Sequence, residues 1–138
     1  MKKARFLLVL LLAAAVPARA GEKLSLLCTG WQPVYQGWEQ IGAPASDSTA
    51  RLLVHIDGDA RTMTTSLPNA GEVLANLEPS NRYYLATMPL GRLVFNRSLD
   101  AVELSIDRVN GEGRFRYMVG ETGYPAFSGT CVTAARPY

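Results

Sequence analysis

Apolar residues occupy every second position in short runs along most of the chain, and Gly, Asn, Asp or Pro separates one run from the next. This alternation is typical of β-strands that bury one face. It is clearest at Ala101 to Asp107, where Val102, Leu104 and Ile106 alternate with polar or charged residues. After residue 20, no long stretch has the spacing of an amphipathic helix. We therefore expect an all-β protein.

The runs divide the chain into short strands joined by turn residues. Tight turns are predicted at Asp57-Gly58, Pro89-Leu90-Gly91 and Asn110-Gly111, because Gly accepts a positive φ. The segment from Pro68 to Pro79 is either one helical turn or an irregular strand. The predicted strands are Leu24 to Thr29, Arg51 to Asp57, Arg61 to Leu67, Arg82 to Met88, Arg92 to Asn96, Ala101 to Asp107, Arg114 to Val119 and Phe127 to Thr133.

The number and spacing of the strands narrow the choice of architecture. About eight short strands with mostly tight connections predict an antiparallel meander. A small closed barrel of about eight strands is the preferred arrangement. A two-sheet β-sandwich has the same sequence pattern and is the alternative.

The first twenty residues have the composition of a cleavable secretory signal peptide. Lys2, Lys3 and Arg5 precede the apolar run Phe6 to Val16, and small residues follow as far as Ala20. The apolar run of about eleven residues is shorter than the roughly twenty that cross a bilayer. We therefore predict a signal peptide at residues 1–20, a single β domain at residues 21–138, a periplasmic or secreted location, and no membrane association after cleavage.

Cleavage would also reverse the net charge. The full sequence has 14 basic and 12 acidic residues and a net charge of +2. Because Lys2, Lys3, Arg5 and Arg19 leave with the signal peptide, ten basic residues would remain against twelve acidic ones, a net charge of −2. No basic run remains either. We therefore exclude nucleic-acid binding, which needs a concentrated positive surface.

The two cysteines, Cys28 and Cys131, predict one disulfide. An exported chain enters an oxidising compartment, and an even count leaves no thiol over. A redox or nucleophilic thiol would need a Cys-x-x-Cys spacing or a neighbouring base, and neither is visible. The bond would join the first and last strands, so its role is structural.

No constellation of residues demands a particular chemistry. His55 is the only histidine, with Asp57 near it, and one imidazole makes a poor metal site. Glu103 and Asp107 fall on the predicted solvated face, where arginines of the next strand would pair with them. We therefore predict no catalytic residue, no metal site and no cofactor.

Residues 30–48 form a long loop with three large aromatic residues, Trp31, Tyr35 and Trp38. Loops of this length are uncommon in compact domains and are often functional, and contact surfaces favour such side chains. The three residues form either a binding loop or a plug that folds over one end of the barrel.

Two parts of the sequence resemble a group of small bacterial exported proteins of uncharacterised function. They are Leu26-Leu27-Cys28-Thr29-Gly30, and Leu104 to Gly111 followed by Phe127 to Cys131. In that group an Ile-Asp-Arg-x-Thr-Gly-like hairpin precedes a Gly-x-Cys last strand. These motifs look structural, so the resemblance implies no activity.

The chain is also similar to the C-type lysozyme inhibitors, periplasmic eight-stranded barrels with a cysteine near each end. Their inhibitory loop has a Ser-Gly-x-x-Tyr stretch and a Trp-x-Lys-Gly stretch before the last strand. The corresponding region here, Gly120 to Phe127, contains neither Trp nor Lys. Only the architecture is shared, and architecture alone does not establish function.

Together these observations favour a non-enzymatic β-barrel that binds a protein partner or a small ligand through its loops. The alternatives are a carrier of a small apolar ligand, a protein like the lysozyme inhibitors, and an enzyme. An eight-stranded barrel holds a ligand only if its inward side chains leave room, and the inward Leu, Ile, Phe and Tyr predict a filled core. We expect a monomer.

Overall fold

The computed structural model describes residues 22–36, 39–41 and 49–134, so the predicted signal peptide and Trp38 lie outside the described residues. Within these ranges the chain forms β-strands and no helix. None of it is therefore a helix of membrane-spanning length. The strands are β1 (Lys23–Trp31), β2 (Val34–Gln36), β3 (Glu39–Ile41), β4 (Ala50–Asp57), β5 (Thr62–Leu67), β6 (Gly71–Glu78), β7 (Tyr83–Val94), β8 (Arg97–Asp107), β9 (Glu112–Val119) and β10 (Thr122–Thr133).

Eight of these strands close into an antiparallel barrel in the order β1-β10-β9-β8-β7-β6-β5-β4. From β4 to β10, each strand pairs with the next one along the chain. β1 closes the ring by pairing with β10 on one edge and β4 on the other. β2 and β3 form a separate hairpin. The barrel prediction is confirmed, and the sandwich alternative is wrong.

Two errors in the predicted strands leave the number of barrel strands at eight. The ambiguous segment from Pro68 to Pro79 is the strand β6, whereas the two strands predicted on either side of Pro89-Leu90-Gly91 are one long strand, β7. The register of β7 against β8 shifts between Pro89 and Arg92, and Gly91 has a φ of +66° there. Gly91 thus forms a β-bulge instead of a turn. The chain reverses at Phe95 and Asn96, whose φ values of 50° and 63° suit a two-residue hairpin turn.

The other two predicted turns differ in how they use their glycine. Gly111 follows β8 with a φ of +77°, as expected for the Asn110-Gly111 turn. After β4 the residue with a positive φ is Arg61, at 54°, and not Gly58. The Gly58 amide instead donates a hydrogen bond to the Glu22 carbonyl at 2.7 Å, which ties this turn to the start of β1.

Large apolar side chains from all around the ring fill the barrel interior. The predicted alternation holds on β8, where Val102, Leu104 and Ile106 are buried. Burying one such side chain stabilises a fold by about 1.5–3 kcal/mol. The Phe115 and Phe127 rings pack with centroids 5.3 Å apart. The largest fully buried side chains are Tyr117, Phe115, Phe127, Ile56, Met63 and Leu99.

Cys28 and Cys131 form the predicted disulfide between β1 and β10. The two residues are direct partners in the strand register, with Cα atoms 3.9 Å apart. The next inward pair, Gly30 and Gly129, also approaches closely, since a Cβ on either glycine would overlap backbone atoms of the opposite strand. Glycine at both positions therefore permits the close approach beside the disulfide. A stable disulfide indicates an oxidising, non-cytoplasmic compartment.

Candidate functional site

Tyr35 closes one end of the barrel. Its hydroxyl donates a hydrogen bond to the Pro125 carbonyl at 2.5 Å. Its ring packs edge-on against Tyr117 and Tyr124, with centroids 6.4 and 6.2 Å away. Burial of the phenol, with smaller contributions from these two tyrosines, raises the pKa of Tyr35 to about 12. Tyr35 therefore belongs to the packed end of the barrel.

The other two aromatic residues of the predicted binding loop do not join Tyr35 in a described cluster. Trp31 is the last residue of β1, where it is half-buried and pairs with Ser128 of β10. Trp38 lies outside the described residues. A site composed of all three residues therefore stays a prediction.

The strand ladder between β4 and β5 is incomplete, as is the ladder between β6 and β7, which also has three register pairs. Only His55, Ile56 and Asp57 of β4 pair with β5, although all of β4 from Ala50 onward pairs with β1. The residues 50–54 and 65–67, which would continue the ladder, have no register partners across this boundary. We call these two segments the open seam. The hydroxyl of Thr65 donates to the Leu53 carbonyl at 2.9 Å, so a side chain replaces the backbone partner there.

A groove of about 550 Å³ follows the open seam on the outside of the barrel. Its walls come from β4 on one side and from β5 and β6 on the other. Leu53 and Leu74, one on each wall, expose 55% and 60% of their surface. Arg51 and Glu72 place opposite charges on these walls as well. The groove thus combines apolar contact area, mixed charge and an incomplete strand ladder.

His55 lies at the end of the groove where strand pairing resumes. Its Nδ1 is hydrogen-bonded to the hydroxyl of Ser25, its direct partner on β1, at 2.9 Å. Asp57 serves the turn, where its Oδ1 accepts hydrogen bonds from the Asp59 and Ala60 amides. Among the described residues, His55 therefore has a hydroxyl partner but no hydrogen-bonded carboxylate of the kind that completes a catalytic triad.

The carboxylates of the β8–β9 hairpin pair with arginines. Glu103 and Arg116 are cross-strand partners joined by an ion pair of 2.5 Å, as the charge pattern predicts. The expectation of a solvated Asp107 is wrong, because its side chain is almost fully buried. It accepts hydrogen bonds from the Val109 and Asn110 amides and from Arg82. Burial alone would raise the pKa of Asp107. The hydrogen bonds have the opposite and larger effect, so the pKa lies below its usual value.

Sequence reasoning missed the two exposed leucines of the groove. In a strand, two adjacent residues point to opposite faces, so an apolar pair must place one member outside. Leu53 stands beside the buried Val54, and Leu74 beside the buried Val73. The signal was therefore present, but it did not reveal that both outward residues border one groove.

No metal centre accompanies this groove in the part of the chain that the structure describes, where no group of three or more His, Cys, Asp or Glu side chains converges. A comparison with known proteins found no family model, no curated protein and no solved structure that matches this chain. The geometry of its surface is therefore the basis for any functional assignment.

Proposed function

We propose that the protein is a non-enzymatic binding module, exported to the bacterial periplasm or beyond, that recognises a protein partner on the outside of its barrel. The observation that carries this proposal is the groove along the open seam. Soluble monomers expose single apolar residues everywhere, but leucines on both walls of one groove, next to opposite charges, are typical of a contact surface. Leu53, Leu74, Arg51 and Glu72 meet this description.

The filled interior supports partner binding over the carrier alternative. A carrier of this size holds its ligand inside the barrel. Here Phe115, Tyr117 and Phe127 occupy the interior and are at most 1% exposed, and Tyr35 covers one end. The surface that remains for recognition is the outer one.

The contacts of Gly120 to Phe127 favour the groove over an inhibitor-like mode of binding. In the lysozyme inhibitors this region carries the inhibitory loop. In this chain most of the region belongs to β10, where it pairs with β9, and Ala126 and Phe127 point into the core. The Tyr124 hydroxyl also accepts a hydrogen bond from Arg97 of β8. The segment is therefore part of the barrel wall.

The proposal is tested by native mass spectrometry of protein purified from its own exported fraction, before and after denaturation. We expect a bound polypeptide that is lost on unfolding. A small molecule released from the barrel on unfolding would favour the carrier instead. A turnover that disappears in a His55→Ala variant, while the variant stays folded, would favour the enzyme. Failure to retain any polypeptide would contradict the proposal.

A further inference from the structure

We infer that the open seam binds an extended polypeptide segment of the partner as an added β-strand. This inference rests on the proposed function and specifies what the groove recognises. Extended peptides add to exposed strand edges through backbone hydrogen bonds, while pockets for alternate side chains supply the specificity. The open seam supplies the strand edge, and its groove supplies contacts for alternate side chains.

The first requirement is an available strand edge. One edge of β4 is occupied by β1 along all eight residues, whereas its other edge loses its ladder partners beyond His55. The part of this edge without ladder partners, Ala50–Val54, is about 17 Å long at roughly 3.3 Å per residue, and within it the Leu53 carbonyl accepts a hydrogen bond from the Thr65 hydroxyl. A row of backbone N–H and C=O groups without ladder partners is a template for pairing with another extended chain. A lipid or a small apolar ligand cannot supply alternating donors and acceptors along this length.

The second requirement is recognition of alternate side chains. Leu53 and Leu74 lie on opposite walls of the groove and offer apolar contacts. Arg51 and Glu72 offer one positive and one negative charge. The complementary segment has apolar residues at alternate positions and carries both an acidic and a basic residue.

The geometry favours a free segment over a second copy of the barrel. A copy would have to present the open edge of its own β4, and that edge lies inside the groove, facing the β5–β6 wall. The groove is also flanked by the β5–β6 wall, so a whole sheet edge cannot enter beside β4. A single extended strand meets neither obstacle.

The test uses the complete mature protein and an array of nine-residue peptides with apolar residues at alternate positions, one Lys and one Glu. We expect members of the array to bind. We expect their binding to shift the amide NMR signals of residues 50–54 and 65–67. N-methylation of the peptide backbone on alternate residues should weaken binding at least about tenfold, because it removes the donors that a ladder needs.

Matched variants separate the groove from the rest of the surface. The double variant Leu53→Ser and Leu74→Ser should bind the best peptide at least about tenfold more weakly. The control Leu93→Ser changes a leucine that is 76% exposed on β7, outside the groove, and should bind as the unchanged protein does. Thermal unfolding of all variants establishes that the barrel is intact.

Three results obtained with the purified protein would overturn the inference. They are the absence of any binding peptide, binding that N-methylation leaves unchanged, and concentration-dependent dimerisation that shifts the same seam amides. A polypeptide from the exported fraction that is retained equally by the unchanged protein and by the Leu53/Leu74 double variant would remove the inference and keep the proposed function. Retention by neither protein would remove both.

Discussion

At the scale of single residues, Tyr35 connects a short outer strand to the barrel end. Its hydroxyl donates to the Pro125 carbonyl, and its ring touches two other tyrosines. The fold favours the neutral phenol, since the pKa is raised from 10.0 to about 12. A phenol of this kind stabilises the fold fully below pH 10 and loses that contribution as the pH rises toward 12.

We predict that Tyr35→Phe lowers the free energy of unfolding by about 1 kcal/mol at pH 8, because one hydrogen bond is lost. The difference from the unchanged protein should shrink at pH 11, because Tyr35 ionises above pH 10 in the unfolded chain but stays mostly neutral in the folded barrel, which lowers the stability of the unchanged protein. Urea unfolding at the two pH values measures both differences. Tyr83→Phe, which changes an exposed ring, is the control and should lower the free energy of unfolding less than Tyr35→Phe does at pH 8. An equal Tyr35→Phe difference at both pH values would contradict the assignment.

At the scale of elements, the open seam makes β4 asymmetric. Its edge toward β1 is paired throughout, and its edge toward β5 is paired only from His55 onward. The Thr65 hydroxyl donates to the Leu53 carbonyl, which a regular ladder would pair with a backbone amide. Unpaired backbone is also the part of a sheet that opens at the lowest free energy.

Hydrogen exchange should therefore alternate along Ala50–Val54. We predict slow exchange for the amides that point to β1 and fast exchange for those that point to the seam. The amides of β8 from Ala101 to Ile106, a strand paired on both edges, are the control and should all exchange slowly. Exchange followed residue by residue with NMR measures this pattern. Uniform protection along Ala50–Val54 would mean that the ladder to β5 is complete.

At the scale of the whole molecule, the disulfide joins the first and last strands of the described barrel. Cys28 and Cys131 are 103 residues apart in sequence, and both are buried. Closing so long a loop restricts the unfolded chain, with an upper estimate of about 4.7 kcal/mol for a loop of about 100 residues. The ring of strands closes at the same place, because β1 and β10 come from opposite ends of the domain.

We predict that replacing Cys28 and Cys131 together by Ala lowers the free energy of unfolding by about 2–5 kcal/mol. Denaturant unfolding with and without a reducing agent measures this, and reduction should destabilise the unchanged protein but not the variant. Reduction breaks the cross-link but keeps both sulfur atoms, whereas the double variant removes the cross-link and the sulfur atoms together. Comparing the two therefore separates the effect of the cross-link from the effect of lost packing. If reduction leaves the unchanged protein as stable as before, the disulfide is not a stabilising link.

Local sequence patterns were sufficient for much of the fold. The inward residues of β8 and β9 and the Asn110-Gly111 turn follow from neighbours within a few positions, because side chains alternate strictly along a strand. Local patterns predicted a turn at Pro89-Leu90-Gly91, where the structure has a β-bulge, because Pro and Gly are typical of both. Only the pairing of β7 with β8 on both sides of Gly91 distinguishes them.

The sequence by itself determined the strand class, the inward-facing sets and the pair of cysteines, since each depends on local alternation or on residue type. Only the tertiary structure decided that Tyr35 covers the barrel end, that Asp107 is buried at the end of β8, and that Leu53 and Leu74 share a groove. Each of these depends on contacts between residues distant in sequence. The open seam is the clearest case, because a ladder that stops after three pairs depends on how the closed ring positions β4 and β5, and no residue in either strand specifies it alone.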